Sequence, residues 1–142
     1  MEVQSTRLGV LEVDSSDIIR FEEGILGFSE YKEYVWLQAV GFKMEIDLLQ
    51  SVDDADLTFI VINPFKYEPE YGFELSTIWK DKLMIESDQQ VGVRTIMTIR
   101  GGERMTTNLK APLVINITTQ QAAQIVLEGV PYDVQHPIGG ES

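Results

Sequence analysis

Three aspartates and the single histidine are the first candidates for chemistry in this sequence. Asp53, Asp54 and Asp56 fall within one short stretch, and His136 lies near the end of the chain. Carboxylates and an imidazole could hold a metal ion that activates water, so a metal-assisted hydrolase is one hypothesis. A calcium-type loop would need further oxygen ligands, and Leu57–Ile60, which follows, supplies none. We therefore predict no metal ligand in the chain.

Other catalytic arrangements find little support. A hydrolase triad would need His136 as its base, but this residue lies in a proline-containing tail, and we interpret it as capping a backbone group there. The acidic pairs Glu22-Glu23 and Asp53-Asp54 are sequence neighbours, which point to opposite faces of an extended chain. The chain has no cysteine, which excludes thiol catalysis and disulfides. We predict a binding module with no enzymatic activity, no catalytic residue and no cofactor.

Two irregular segments could present side chains to a partner. Pro112 stops any helix and biases Ala111 toward an extended conformation, so Asn108 and Lys110 would lie on a fixed loop before a strand. Residues 64–73 combine two prolines and a glycine with four aromatic residues, which anchor interfaces as often as cores. We predict a partner surface formed by Phe65, Tyr67, Tyr71, Asn108, Lys110 and Pro112. The alternative, that these residues cover the core, stays open.

The charge of the chain limits the class of partner. The net charge is −12, and residues 45–88 carry 11 acidic and 3 basic side chains. This field repels phosphate backbones and anionic lipids, so we expect no direct nucleic-acid or membrane binding. A basic protein is the favoured partner, although a solvated acidic surface is an equal alternative. The chain lacks a secretory signal and any apolar run of about 18 residues, so we expect the cytoplasm.

Short apolar runs separated by turn residues predict strands along most of the chain. The predicted strands are 2–7, 10–13, 18–21, 34–38, 48–52, 57–63, 91–100, 113–117 and 122–127. Residues 57–63 are apolar on both faces, which predicts a central strand. Asp53-Asp54-Ala55-Asp56 is typical of a hairpin turn in which aspartates cap backbone N–H groups. Breaks are expected from Gly41 and at Gly101-Gly102, and an irregular tail after residue 127.

One helix is predicted near residues 76–84. Ser76 is a typical N-cap, and Ile78, Trp79 and Leu83 are expected on its buried face. Gly24 and Gly27 predict positive φ angles in a loop that buries residues 25, 26 and 28. Together these elements indicate a mostly β fold: one domain, residues 1–142, forming a compact antiparallel barrel-like or sandwich structure with one short helix.

Five sequence blocks in order resemble those of one bacterial family. They are Phe21–Phe28, Leu49–Leu57, Pro64-Phe65, Met105–Asn116 and His136-Pro137. These blocks are similar to those of the flagellar assembly factor FliW. Ala55 and Gln135 depart from the family, which often has a proline and a basic residue there, and this leaves the role of the tail open.

The resemblance implies a small, cytoplasmic, β-barrel-like protein without enzymatic activity. It further implies that the chain binds flagellin and, when free of it, the RNA-binding translational regulator CsrA, which relieves repression of flagellin translation. An acidic binding protein would suit such a basic partner. We expect a monomer when the protein is free. Which surface meets which partner, and whether the partners compete, stays open.

Overall fold

The computed structural model describes residues 1–41, 44–101 and 104–138. In these ranges the chain forms eleven strands and one α-helix, α1, at Thr77–Lys82. The strands are β1 Glu2–Ser5, β2 Gly9–Glu12, β3 Ile18–Phe21, β4 Glu33–Gly41, β5 Met44–Ser51, β6 Thr58–Ile62, β7 Val91–Arg100, β8 Arg104–Thr107, β9 Leu113–Asn116, β10 Gln121–Gln124 and β11 His136–Ile138. Three 3₁₀ helices are Ser15–Asp17, Pro64–Lys66 and Asp88–Gln90. The predicted mostly β fold with one short helix is confirmed.

Seven strands close into a barrel because β7 pairs with β6 along one edge and with β9 along the other. The order β7-β6-β5-β4-β3-β10-β9 is completed where β9 pairs with β7. Residues 91–94 of β7 lie opposite β9, and residues 97–100 lie opposite β8, which extends the sheet to β11. Among the described strands, neighbours are antiparallel except β3 and β10, which are parallel. Of the predicted alternatives, a barrel-like or a sandwich structure, the strands form the barrel, and they are antiparallel with this one exception.

The barrel interior is filled by alternate residues of its strands, as the pleat of a sheet requires. On β6, Phe59 and Val61 pack into the interior around the fully buried Tyr34. Ile60 and Ile62 pack into a second apolar cluster on the opposite face of the same strand. Because β6 lies between β5 and β7 and is covered on both faces, its prediction as a central strand is confirmed.

The turn between β5 and β6 uses the chemistry expected of it. The Asp54 carboxylate accepts a hydrogen bond from the Asp56 N–H at 2.9 Å. The Ser51 hydroxyl oxygen accepts from the N–H groups of Asp53 and Asp54 at 3.1 and 3.0 Å. The hairpin with an aspartate cap is therefore confirmed, and Ser51 adds a cap that the sequence analysis missed.

The loop after β3 confirms two expectations and corrects one. Gly24 and Gly27 have φ angles of 72° and 86°, as predicted. Ile25 is buried, but Leu26 and Phe28 are 63% and 36% exposed rather than tucked beneath the loop. Ile25 and Phe28 pair across a tight turn, so residue 26 lies at its tip and cannot turn inward.

Helix α1 packs on the outside of the barrel through a narrower stripe than predicted. Its N-cap is confirmed, since the Ser76 hydroxyl oxygen accepts from the Trp79 N–H at 3.3 Å. Trp79 and Leu83, one turn apart, belong to the apolar cluster that covers β9 and β10, whereas Ile78 is 67% exposed. The prediction that Ile78 is buried was wrong, because a six-residue helix is too short to turn more than Trp79 and Leu83 toward the sheet.

The ends of several strands differ from prediction, because a strand extends as far as its backbone pairs with a neighbouring strand and not as far as its residues are apolar. The β4–β5 hairpin continues through residues 38–41 and 44–47, so Gly41 ends β4 instead of beginning a break. Gly101 follows β7 with a φ of 48°, while Gly102 lies outside the described residues.

Two corrections concern the end of the chain. Residues 104–107, for which no strand was predicted, form β8, and the tail contributes β11 beside it. Pro137 is compatible with β11 because this strand lies at the edge of the sheet, where no N–H is required on the outer side. Within the described ranges, no helix combines the length and apolarity needed to cross a membrane.

Candidate functional site

The segment 64–73 lies outside the sheet and is ordered by its own turns. The Asn63 side chain accepts a hydrogen bond from the Phe65 N–H at 3.1 Å and so caps the 3₁₀ helix Pro64–Lys66. The N–H of Glu68 then donates to the Pro64 carbonyl at 2.8 Å, and that of Tyr71 to the Glu68 carbonyl at 2.9 Å. The segment therefore holds its side chains in fixed positions without belonging to a strand.

Tyr71 joins this segment to the loop before β9. Its ring is buried and lies 5.7 Å from that of Phe65 and 4.7 Å from that of Tyr132, measured between centroids. Its hydroxyl donates to the Leu109 carbonyl at 2.8 Å. Burial raises the pKa of the Tyr71 phenol, with a smaller contribution from Tyr132, so the group is a neutral donor at physiological pH. The two predicted segments are thus one connected surface.

The loop 108–112 is held from both sides. The Asn108 carboxamide oxygen accepts from the N–H groups of Lys110 and Ala111 at 3.1 and 3.0 Å, which closes an Asx-type turn. The Leu109 N–H donates to the Asp133 carbonyl at 3.1 Å, and the Lys110 carbonyl accepts from the Leu127 N–H at 2.8 Å. Asn108 is therefore largely a structural residue, whereas the Lys110 side chain is exposed.

Of the six predicted contact residues, four are exposed or half-buried and two are buried. Phe65 is 42% exposed and Lys110 is exposed, whereas Tyr67 and Asn108 are half-buried. Tyr71 and Pro112 are buried, so in this conformation they support the surface instead of forming it. Burial corrects the expectation that these two side chains are presented to a partner, and binding by the others stays a prediction.

A groove of about 590 Å³ opens beside this segment, and the sequence analysis missed it. Its apolar lining comes from the outer faces of β7 and β9 and from the stretch between β6 and β7, and consists of Phe65, Phe73, Leu75, Ile85, Val91, Val93 and Val114. Glu74, Lys80 and Asp88 contribute charged groups to its lining. The strand alternation placed Val91 and Val93 on one face, but nothing local showed that this face is left partly uncovered.

Tyr132 contacts the aromatic segment, and the sequence analysis missed this residue as well. Its hydroxyl accepts from the Gly72 N–H at 3.1 Å and donates to the Gly72 carbonyl at 3.0 Å. The C-terminal segment thus clamps the end of the aromatic segment across 60 residues of sequence. No local pattern could have indicated this contact.

The residues of the hydrolase hypothesis are used elsewhere in the fold. The Asp56 carboxylate accepts a hydrogen bond from the Thr6 hydroxyl, and Asp54 caps its own turn. His136 lies in β11, with its Nε2 atom 3.8 Å from a carboxylate oxygen of Glu68. Across residues 1–41, 44–101 and 104–138, no three His, Asp or Glu side chains converge on a point that could hold a metal ion. The geometry gives this hypothesis no support.

The described residues thus form a small closed barrel with an apolar groove and an ordered aromatic segment beside it. The sequence matches the model of the FliW protein family over residues 2–138, and the chain belongs to that family.

Individual relatives agree with this assignment. The chain is 39% identical over 135 residues to the flagellar assembly factor FliW of Bacillus subtilis strain 168, with 94% of each chain covered. It is 36% identical over 139 residues to that of Alkaliphilus metalliredigens, covering 97% of this chain and 86% of the relative. A crystal structure of the flagellar assembly factor FliW superposes with a TM-score of 0.88 at 34% identity, covering 99% of this chain and 98% of that one. The predicted family is confirmed.

Proposed function

We propose that this protein is a non-enzymatic binding factor of flagellar assembly. It binds flagellin and, when free of flagellin, binds the translational regulator CsrA and relieves its repression of flagellin translation. Membership of the FliW family over residues 2–138 supports a flagellar role. Because translational control takes place in the cytoplasm, the protein acts there, as a monomer between binding events and without direct contact to nucleic acid.

The groove beside Phe65 is the observation that carries the proposal. Phe65 is 42% exposed on a segment whose backbone is fixed by the Asn63 cap. Its ring lines the groove together with Val91, Val93 and Val114. A rigid aromatic side chain at the edge of an apolar groove offers contact area at low entropic cost, which is typical of interface anchors. We therefore place a partner's apolar side chains in this groove.

The acidic charge supplies the long-range part of recognition. Residues 45–88, which supply most of the lining of the groove, have 11 acidic and 3 basic side chains. Such a field raises the association rate with a basic partner, and salt screens it over about 8–10 Å. We predict that the association rate with CsrA falls with rising salt while the dissociation rate changes less. Stopped-flow association rates that stay flat across salt concentrations would remove charge steering from the proposal.

Replacing Phe65 by alanine tests the groove directly. We expect Phe65→Ala to weaken binding to flagellin or to CsrA by more than about 1 kcal/mol, roughly a fivefold rise in Kd. The melting temperature should change little, because an exposed side chain contributes little to the core. Tyr67→Ala and Lys110→Ala extend the test along the same surface, with affinity and melting temperature measured for each. Asn108→Ala should also lower the melting temperature, because its side chain closes the turn before Pro112.

Leu26→Ala is the matched control, since Leu26 is an apolar side chain that is 63% exposed on a different loop. It should leave both affinities unchanged. An equal loss of affinity in Leu26→Ala and Phe65→Ala would indicate a non-specific apolar effect and refute the groove. Retention of both affinities by Phe65→Ala and Lys110→Ala would move the binding surface elsewhere. Recovery of neither partner from a bacterial lysate would refute the proposed function itself.

A further inference from the structure

A polar cluster lies at one end of the otherwise apolar barrel interior. Asp47 lies two residues before Leu49 on β5, and Arg94 lies two residues before Ile96 on β7, so each pair shares one face of its strand. Leu49 and Ile96 both belong to the interior core, so the period of two directs Asp47 and Arg94 inward as well. Together with Trp36 they form the mouth of the barrel.

The three side chains hold one another in place. The Arg94 Nε–H donates to Asp47 Oδ2 at 2.7 Å, and the Trp36 indole N–H donates to the same oxygen at 2.8 Å. The guanidinium lies 5.2 Å from the centroid of the Trp36 ring, and its Nη1 donates to the Val93 carbonyl at 2.8 Å. The side chains of Arg94 and Asp47 are only 20% and 12% exposed. Removing such an ion pair from water costs about as much free energy as the attraction between its charges provides, so a contribution to stability does not by itself account for this pair.

Hydrogen-bonding capacity remains on the pair. Within the described part of the chain, neither Asp47 Oδ1 nor Arg94 Nη2 has a hydrogen-bond partner. Both residues line a pocket of about 400 Å³, within the range typical of small-molecule sites, which often lie in the mouths of β-barrels. Gln38, Glu45, Asn63 and Lys66 complete its polar lining. The Asn63 oxygen is used by the Phe65 N–H, which leaves the amide nitrogen as a donor.

The charges of the pocket identify the class of ligand. Two cations, Arg94 and Lys66, are balanced by two carboxylates, Asp47 and Glu45. Lys66 and Glu45 pair with each other at the exposed rim, and such pairs separate at little cost. A simple anion would be opposed by the net charge of −12, and a simple cation would compete with Arg94. A molecule that carries both charges a few atoms apart matches the pocket.

We propose that the barrel mouth binds a free α-amino acid. Its carboxylate accepts from Arg94 Nη2 and the Asn63 amide, and its ammonium group donates to Asp47 Oδ1 and Glu45. The site is separate from the apolar groove, so it does not depend on the proposed binding of flagellin or CsrA.

The two tryptophans allow a direct test by nuclear magnetic resonance. Trp36 lies in the cluster, whereas Trp79 lies on α1 and serves as an internal control. Each standard L-amino acid is added singly at millimolar concentration to the ¹⁵N-labelled protein. We expect at least one to shift the Trp36 indole signal in a saturable way and to leave that of Trp79 unchanged. The N-acetyl and carboxamide derivatives of the same amino acid, each lacking one charge, should bind at least roughly tenfold more weakly.

Variants assign the effect to named groups. Arg94→Gln and Asp47→Asn should abolish the saturable shift, and Glu45→Gln should raise the apparent Kd without touching the buried cluster. Arg20→Gln is the control, because Arg20 is paired with Glu22 and Glu33 and does not line this pocket. If a core variant fails to fold, Glu45→Gln and the blocked derivatives still decide the question. The proposal is overturned if no amino acid shifts the Trp36 signal, if both tryptophans shift alike, or if acetate alone reproduces the effect.

Discussion

Removing the hydroxyl group from each of two buried tyrosines should change the stability of the barrel in opposite directions. Tyr34 and Tyr71 are 0% and 4% exposed. The Tyr71 hydroxyl donates to the Leu109 carbonyl at 2.8 Å, whereas the Tyr34 hydroxyl has no hydrogen-bond partner in the described part of the chain. Tyr→Phe removes the same single oxygen at both sites and keeps the ring, so the hydrogen bond is the main difference between them.

The magnitudes follow from the cost of burying polar groups. Tyr71→Phe leaves the Leu109 carbonyl without its donor, which costs about 1–3 kcal/mol. Tyr34→Phe removes a hydroxyl whose burial without a partner costs about 1–3 kcal/mol in mutational data, so it should stabilise the fold by about 1 kcal/mol after a small packing loss. The Tyr34 ring still packs on Phe21 and Phe59 at centroid distances of 5.6 and 5.8 Å. In a chain of this size, 1 kcal/mol corresponds to roughly 2–4 °C in Tm.

Urea unfolding followed by tryptophan fluorescence measures both effects. The free energy of unfolding should fall for Tyr71→Phe and rise for Tyr34→Phe, with the same dependence on urea as the parent protein. The double variant should show the sum of the two changes, since the tyrosines lie in separate clusters.

Two results would refute this reasoning. A loss of more than about 1 kcal/mol in Tyr34→Phe would show that its hydroxyl makes a hydrogen bond in solution. No change in Tyr71→Phe would show that the bond to Leu109 does not hold the aromatic segment on the loop. The second result would also weaken the case for one connected binding surface.

Three further predictions test the barrel. Phe59→Ala should destabilise the protein by about 3–5 kcal/mol, because Phe59 packs against Tyr34 and Phe28; a loss below about 1 kcal/mol in urea would contradict the central-strand assignment. Gly27→Ala should lower the free energy of unfolding by about 1 kcal/mol, because residue 27 has a φ of 86°. Gly24→Ala should lower it clearly more, because a Cβ at residue 24 would also lie 2.4 Å from the Ser29 Cα. Equal melting temperatures of the two variants would contradict this. Burial raises the phenol pKa of Tyr34 and Tyr71 in the folded state, whereas in the unfolded chain these phenols ionise at about pH 10. The free energy of unfolding should therefore fall as the pH rises above about 10, and it should fall less steeply in the double Tyr→Phe variant.

Local sequence patterns were enough to determine the fold class and several elements. The alternation in β6 and the aspartates of the turn between β5 and β6 act over a few residues, so their structural consequences are visible in the sequence. The same holds for the Ser76 cap and the positive φ angles of Gly24 and Gly27. The five sequence blocks were likewise sufficient to identify the FliW family.

Only the tertiary structure decided which faces are covered and which are open. Closure of the barrel depends on β7 pairing with both β6 and β9, and strand partners are chosen by contacts between distant residues. Tyr71 and Phe65 are both aromatic residues of one irregular segment, yet the first is buried under Tyr132 and the second is exposed. The Asp47–Arg94 pair joins residues 47 positions apart. A side chain's type determines what it can bind, but its partners are set by long-range packing that local periodicity does not encode.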